Sequence, residues 1–139
     1  MERDQVAAIE YQIAIFIRRA ILSSQRSSNL DRSAYLLLRQ LDERGPLGVK
    51  DLAHEFHLDV STVSRQATSL EKKGWVERIP DPTDHRAASL IITGSGREVL
   101  EREKDRRAHL YEQLLRSWSP EELEVFSRLL SRLNQTFLD

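Results

Sequence analysis

Apolar residues recur along this chain at helical spacing, in blocks separated by polar, glycine or proline punctuation. Val6, Ile9, Ile13, Phe16 and Ala20 advance in alternating steps of three and four residues, which is seam spacing and predicts a helix over 4–22. Tyr11, Ile15 and Leu22 line another face, so this helix needs more burial than a single neighbour supplies. The polar run SSQRSSN (23–29) reads as a loop. A second helix follows over roughly 32–44, with Tyr35, Leu37, Leu38 and Leu41 inward. Gly45-Pro46 stops it, glycine at the C-cap and proline just beyond.

Two shorter helices come next. In VKDLAHEF, Val49, Leu52, Ala53 and Phe56 fall at i, i+3, i+4 and i+7. After the turn HLD, Asp59 is poised to cap a helix running to about Lys73, with Val63, Ala67 and Leu70 inward and Gly74 at its end. Helix, tight turn and helix make the outline of a helix-turn-helix. Two short strands, about 75–79 and 87–92, then flank the loop DPTDHRA, and Ala88, Leu90 and Ile92 alternate in the second. That loop is longer than the two-residue closure of a plain hairpin and carries its own acid and base.

A long helix over 94–117 starts either at Thr93 or at the capping box of Ser95 and Glu98. Its almost wholly charged middle, EREKDRR, predicts a solvated stretch bridging two lobes. Ser119-Pro120-Glu121-Glu122 combines a serine cap, proline at the first position and glutamate at the third. In the helix that follows, Leu123, Phe126, Leu130, Leu133 and Phe137 repeat the seam spacing of the first. Terminal seams of this kind bury themselves most economically against each other and a second copy, which predicts a homodimer; packing within one chain would leave the same pattern.

The expected fold is therefore mainly α with a small β-hairpin wing: a winged helix-turn-helix flanked by N- and C-terminal dimerisation helices. Within 1–139, segments 1–30 and 95–139 form the dimerisation helices and 31–94 the winged lobe. A chain of 139 residues makes one domain with a real core. Cysteine is absent, which excludes disulfides, thiolate zinc sites and a cysteine nucleophile. No apolar run approaches a membrane span and the first 25 residues lack a signal-peptide core, so a soluble cytoplasmic protein is expected.

A helix-turn-helix followed by a two-stranded wing is a DNA-reading device whose second helix enters the major groove. The exposed positions near the start of that helix are Ser61, Thr62, Ser64 and Arg65, with Thr68 one turn on. Hydroxyls bond phosphates or base edges, and arginine makes the bidentate pair to guanine. No acidic side chain interrupts the stretch from Ser61 to Leu70. The net charge of −1 runs against a general affinity for nucleic acid. So does the local balance from Gly45 to Thr93, where Lys50, Arg65, Lys72, Lys73, Arg78 and Arg86 face Asp51, Glu55, Asp59, Glu71, Glu77, Asp81 and Asp84. Only geometry can turn those bases toward double-stranded DNA, so specific contacts have to carry the affinity.

The stretch STVSRQATSLEKKGWVERIPDPTDHRAASLIITGSG resembles the signature of MarR-type winged helix-turn-helix regulators: the Ser-Thr-Val-Ser-Arg helix start, the Leu-Glu-Lys-x-Gly close, the Glu-Arg strand, the Asp-x-Arg wing and the Thr-x-x-Gly entry to the long helix. The resemblance extends over the whole chain. It implies an obligate, roughly triangular dimer that binds pseudo-palindromic promoter DNA and usually represses. It also implies release by a small, often aromatic, effector bound between the lobes, for which Phe16, Tyr35 and Tyr111 are the candidate lining residues. For the wing it implies that Arg86 probes the minor groove while Asp84 holds its guanidinium. The chain departs from the family at Thr68-Ser69, where Asp-Arg is common, at Gln66, usually apolar, and at His85, where a second wing arginine is common.

Other function classes find less to work with. HEFH (54–57) is one residue short of the metalloprotease motif, and His54 and His57 would need His85 or His109 beside them to make a metal-responsive regulator. No nucleophile or acid-base pair marks an enzyme, and neither a cofactor nor a resident metal is expected. A winged helix that binds protein through its wing is the remaining alternative; the acidic balance favours it and the residue types of the second helix oppose it.

Overall fold

The computed structural model describes residues 2–24, 30–84 and 86–138, the side chains of 21–24 excepted. In chain order the elements are α1 (Arg3–Ser24), α2 (Arg32–Arg44), β1 (Leu47–Gly48), α3 (Val49–Phe56), α4 (Val60–Lys72), β2 (Val76–Pro80), β3 (Ala88–Ile92), α5 (Gly94–Leu114) and α6 (Pro120–Thr136). Of the expected 23–29 loop, Ser23 and Ser24 continue α1 and the remainder lies outside the described residues.

Local chemistry sets most of these boundaries. Asp31 caps α2 by accepting from the Ala34 amide at 2.8 Å, and Gly45 closes it at φ 78°, a conformation that excludes most β-carbons. Of the two candidate caps for α5, Thr93 is the one used: its Oγ1 accepts from the Gly96 amide at 3.0 Å. Both arms of the box at the head of α6 are made, with Glu122 N donating to Ser119 Oγ at 3.1 Å and Ser119 N to Glu122 Oε1 at 2.8 Å.

The sheet holds one strand more than the hairpin read from the sequence. β1 pairs antiparallel with β3 through Leu47 opposite Leu90, so the order is β1-β3-β2. The wing proper is β2 against β3, in register from Val76 opposite Ile92 to Pro80 opposite Ala88. The core sits between this sheet and α2 to α5: Leu37, Leu38 and Leu41 meet Leu52, Val63, Ala67 and Leu70 beneath Val76, Leu90 and Leu100. Each fully buried leucine among them contributes roughly 2 kcal/mol by area. Because Val63, Ala67 and Leu70 all point in, the opposite face of α4 is turned to solvent.

The charged middle of α5 is not solvated throughout. Glu103 is buried and bonds Arg106 Nη2 at 2.7 Å and Arg107 Nε at 2.9 Å, the spacing of one helical turn. Arg107 in turn lies over the Tyr35 ring of α2, 3.9 Å from its centroid, and so ties α5 to α2. The terminal helices differ sharply from this core. α6 buries no residue, and Phe16, Ile9, Leu130 and Phe137 are 54%, 59%, 41% and 64% exposed.

Candidate nucleic-acid interface

The turn between α3 and α4 is made by His57, the one described non-glycine residue at positive φ (53°, with ψ 46°). That conformation costs a residue with a β-carbon about 1–2 kcal/mol. The turn is held by Leu58 N donating to Ala53 O at 2.9 Å and by the His57 ring Nε2 donating to the Phe137 carbonyl at 2.7 Å. Phe137 meets the same ring edge-on, so the end of α6 lies against the helix-turn-helix turn.

Asp59 stands at the N-cap of α4 with extended backbone but makes no side-chain cap bond, contrary to the expectation from sequence. No acidic side chain lies in the first turn of the helix. Ser61, Arg65 and Thr68 are exposed on the outer face, and Thr62 and Ser64 are half-buried at its edge. The five residues singled out in the sequence thus share one side of one helix. Arg65 leans back toward Thr62 Oγ1 at 3.4 Å, and Thr68 Oγ1 donates to Ser64 O at 3.0 Å. Arg78 of β2, which the sequence reading counted among the lobe's bases without giving it a role at the site, reaches across to this helix: its Nη2 donates to Thr68 Oγ1 at 3.1 Å and to Ser64 O at 3.3 Å.

In the wing loop the organising carboxylate is Asp81. Its Oδ1 accepts from Thr83 N and Thr83 Oγ1, both at 2.8 Å, and from Asp84 N at 3.0 Å, while Oδ2 accepts from Ser89 Oγ at 3.0 Å. These bonds favour the charged form, the Thr83 hydroxyl most, and draw the Asp81 pKa from 3.8 down to about 2. Asp84 grips the backbone of Arg86, accepting from its amide at 3.1 Å. Among the described residues no carboxylate pairs with the Arg86 guanidinium, so the orienting contact implied by the family resemblance is absent here. An aspartate two residues ahead in a tight turn reaches the backbone N–H sooner than a long side chain. Arg86 is exposed at the loop, and His85 lies outside the described residues.

The Asp81 cluster gives a pH prediction. Because the folded pKa is depressed, the order that Asp81 lends the loop is complete above about 3.8 and is lost as pH falls through about 2. Amide resonances of Thr83 and Asp84 should hold their folded shifts down to about pH 3. Asp81→Asn should move them at neutral pH; if they stay put, the carboxylate does not shape the loop.

Of the aromatic residues named as an effector lining, Tyr35 is half-buried, and its hydroxyl accepts from Arg39 Nη1 at 2.8 Å. Tyr111 instead borders a shallow hollow of about 340 Å³ with Ala108, Leu115, Trp118 and Leu123. Neither Tyr35 nor the exposed Phe16 lines that hollow, so the three do not converge within one chain. Trp75 packs on the core at the wing base, and Trp118 meets Phe126 at 5.0 Å between centroids with the rings tilted by 51°. Among the described residues no three His, Asp or Glu side chains come close enough to hold a metal. No described helix is long and apolar enough to cross a membrane.

Fold and site together define a winged helix-turn-helix protein, the class that reads DNA with its second helix in the major groove. The sequence profile of the MarR family matches residues 30–88. An uncharacterized HTH-type transcriptional regulator of Bacillus subtilis, YxaD, is 48% identical over 140 aligned residues, covering 99% of this chain and 98% of that protein. The fold also matches a MarR family protein from Bacillus stearothermophilus (TM-score 0.82, 23% identity, 100% and 99% of the two chains). A further match is FabT of Streptococcus pneumoniae in complex with DNA (TM-score 0.72, 22% identity, 95% and 96%). The chain belongs to the MarR family and is a DNA-binding HTH-type transcriptional regulator, as its relatives are, rather than an enzyme.

Proposed function

We propose that the protein acts in the cytoplasm as a homodimeric repressor that reads a pseudo-palindromic promoter site through α4 and the wing. The observation that carries this reading is the exposed face of α4, with Ser61, Arg65 and Thr68, beside a wing loop that presents Arg86. Thr62 and Ser64 border the same face, and Asp84 shapes the backbone from which Arg86 extends. The two copies of α4 lie about 34 Å apart, one turn of DNA, and enter successive major grooves. FabT, of like fold, is known bound to DNA, which agrees with this reading.

The dimer rests on the terminal segments 1–30 and 95–139, with 31–94 as the DNA-binding lobe. Val6, Ile9, Phe16, Leu130 and Leu133 leave large apolar side chains exposed at seam spacing along α1 and α6, and a second copy of the same seams is the occupant that spacing fits. Leu130→Glu should give monomers or an unfolded chain by sedimentation, and a stable DNA-binding dimer from that variant would count against the seam. A small aromatic effector near Tyr35 would take the place of Arg107 or Arg39, which flank the ring, and one Arg107 nitrogen buried without a partner there is free to bond it. Phe16 and Tyr111 could join such a site only from other surfaces or the partner copy.

Fluorescence anisotropy on DNA selected from random sequence by the purified protein tests the reading. Tight binding with a steep salt slope is expected. Failure to select any sequence would turn the assignment toward a winged helix that binds protein.

A further inference from the structure

Arg78 sits in the middle of β2, opposite Leu90, on the strand face that also carries the buried Val76. A charged side chain two residues beyond a core valine is carried over the rim of the core rather than away from it. There its guanidinium meets α4 at three places along one stripe. Nη2 bonds Ser64 O at 3.3 Å and Thr68 Oγ1 at 3.1 Å, and Nε lies 3.5 Å from Glu71 Oε1. Positions 64, 68 and 71 follow i, i+4, i+7, so one fork spans about 10 Å of the helix. Among the described residues these are the only side-chain hydrogen bonds between α4 and the two wing strands.

Two residues past Arg78 the strand ends at Pro80, and Asp81 opens the loop that presents Arg86. The geometry points to Arg78 as a positioning residue that fastens the recognition helix to the wing, so that both approach DNA as one rigid unit. This inference rests on the DNA-reading proposal and deepens it. Thr68 takes a different role from the one its exposure suggests. Its single proton goes to Ser64 O and one lone pair to Arg78, which makes it the helix-side anchor of the brace rather than a free reader of bases. Arginine suits the task because a planar fork with several donors fixes an angle, whereas a lysine ammonium makes a pivot. Glu71, one turn beyond Thr68, supplies the carboxylate within reach of this guanidinium.

The test uses full-length protein, the DNA it selects and a mixed-sequence duplex of equal length. Arg78→Ala should weaken binding to the selected DNA about tenfold while leaving the mixed duplex and the salt slope unchanged. Thr68→Val should reproduce part of that loss, and Arg78→Lys should keep the charge without restoring the specificity ratio. In the Arg78→Ala background, Arg65→Ala and Arg86→Ala should become additive, where in the parent they are coupled. A uniform loss on both duplexes with the slope reduced by about one would make Arg78 a phosphate contact and overturn the proposal. So would an unchanged specificity ratio. If the parent protein selects no DNA, the DNA-reading proposal fails by itself, and amide exchange over 81–87 still judges the brace: faster exchange in Arg78→Ala, or in Thr68→Val should the first variant not fold, is expected. Unchanged exchange overturns it.

Discussion

Gly96→Ala is expected to lower stability by on the order of 3 kcal/mol, a far larger effect than one methyl group usually has. Gly96 is buried in the first turn of α5, and a β-carbon there would overlap the Trp75 carbonyl oxygen, 2.9 Å from the carbonyl carbon and 3.0 Å from Ile92 Cγ1. Backbone atoms cannot swing aside as a side-chain tip can. Trp75 is also pinned: its carbonyl accepts from Thr93 N at 3.0 Å, and Thr93 Oγ1 donates to Gly74 O at 2.6 Å. Relieving the overlap therefore breaks the knot that joins the end of α4, the base of the wing and the start of α5. Gly94, with nothing within 4 Å of its would-be β-carbon, is the control. Gly94→Ala should leave stability within about 1 kcal/mol. Urea unfolding of the two variants decides the matter, and equal midpoints would show that the knot yields.

Arg65→Ala and Arg86→Ala are expected to reduce affinity for the selected DNA by roughly 10- to 100-fold each, by different routes. Arg65 is exposed on the outer face of α4 with only a 3.4 Å contact to Thr62, so its fork can leave that contact for a guanine edge. Its loss should relax base preference at one position of each half-site. Arg86 stands on a loop whose backbone is already set by Asp81 and Asp84, which lowers the cost of ordering it in a groove. Its loss should weaken binding and flatten the dependence on salt. Anisotropy titrations across ionic strength separate the two, and unchanged affinity in both variants would remove these residues from the interface.

The helices were legible because their apolar residues recur at helical spacing and because α2, α5 and α6 also carry side-chain caps of their own. VKDLAHEF is helical over its whole length in the structure, and Ser119-Pro120-Glu121-Glu122 makes the capping box that its residue types imply. β1 was not legible: a two-residue strand has no period, and only the partner strand reveals it. Glu103 was hidden by composition, although arginines at i+3 and i+4 were a readable sign that its charge could be matched within the helix. The outward face of α4 followed from Val63, Ala67 and Leu70. The Asp81 turn and the Arg78 brace did not, because both depend on distances that close only once the hairpin has folded. A charged residue in phase with Val76 was the signal available for Arg78.

α5 is fastened to the winged lobe at three levels: the Gly96 knot, Arg97 on Asp42 at 3.0 Å, and Arg107 over Tyr35. These fastenings run from the start of the helix to Arg107, so its outer end sets the angular phase between the outward face of α4 and the apolar seam of α6. Each residue inserted beyond Arg107 would turn the seam by about 100° and lengthen the arm by about 1.5 Å. A one-residue insertion therefore destroys the phase at once. An insertion of seven residues nearly restores the phase but lengthens the arm by about 10 Å, which would part Phe137 from the His57 turn, so the contact at the end of α6 fixes the arm's length as well as its angle.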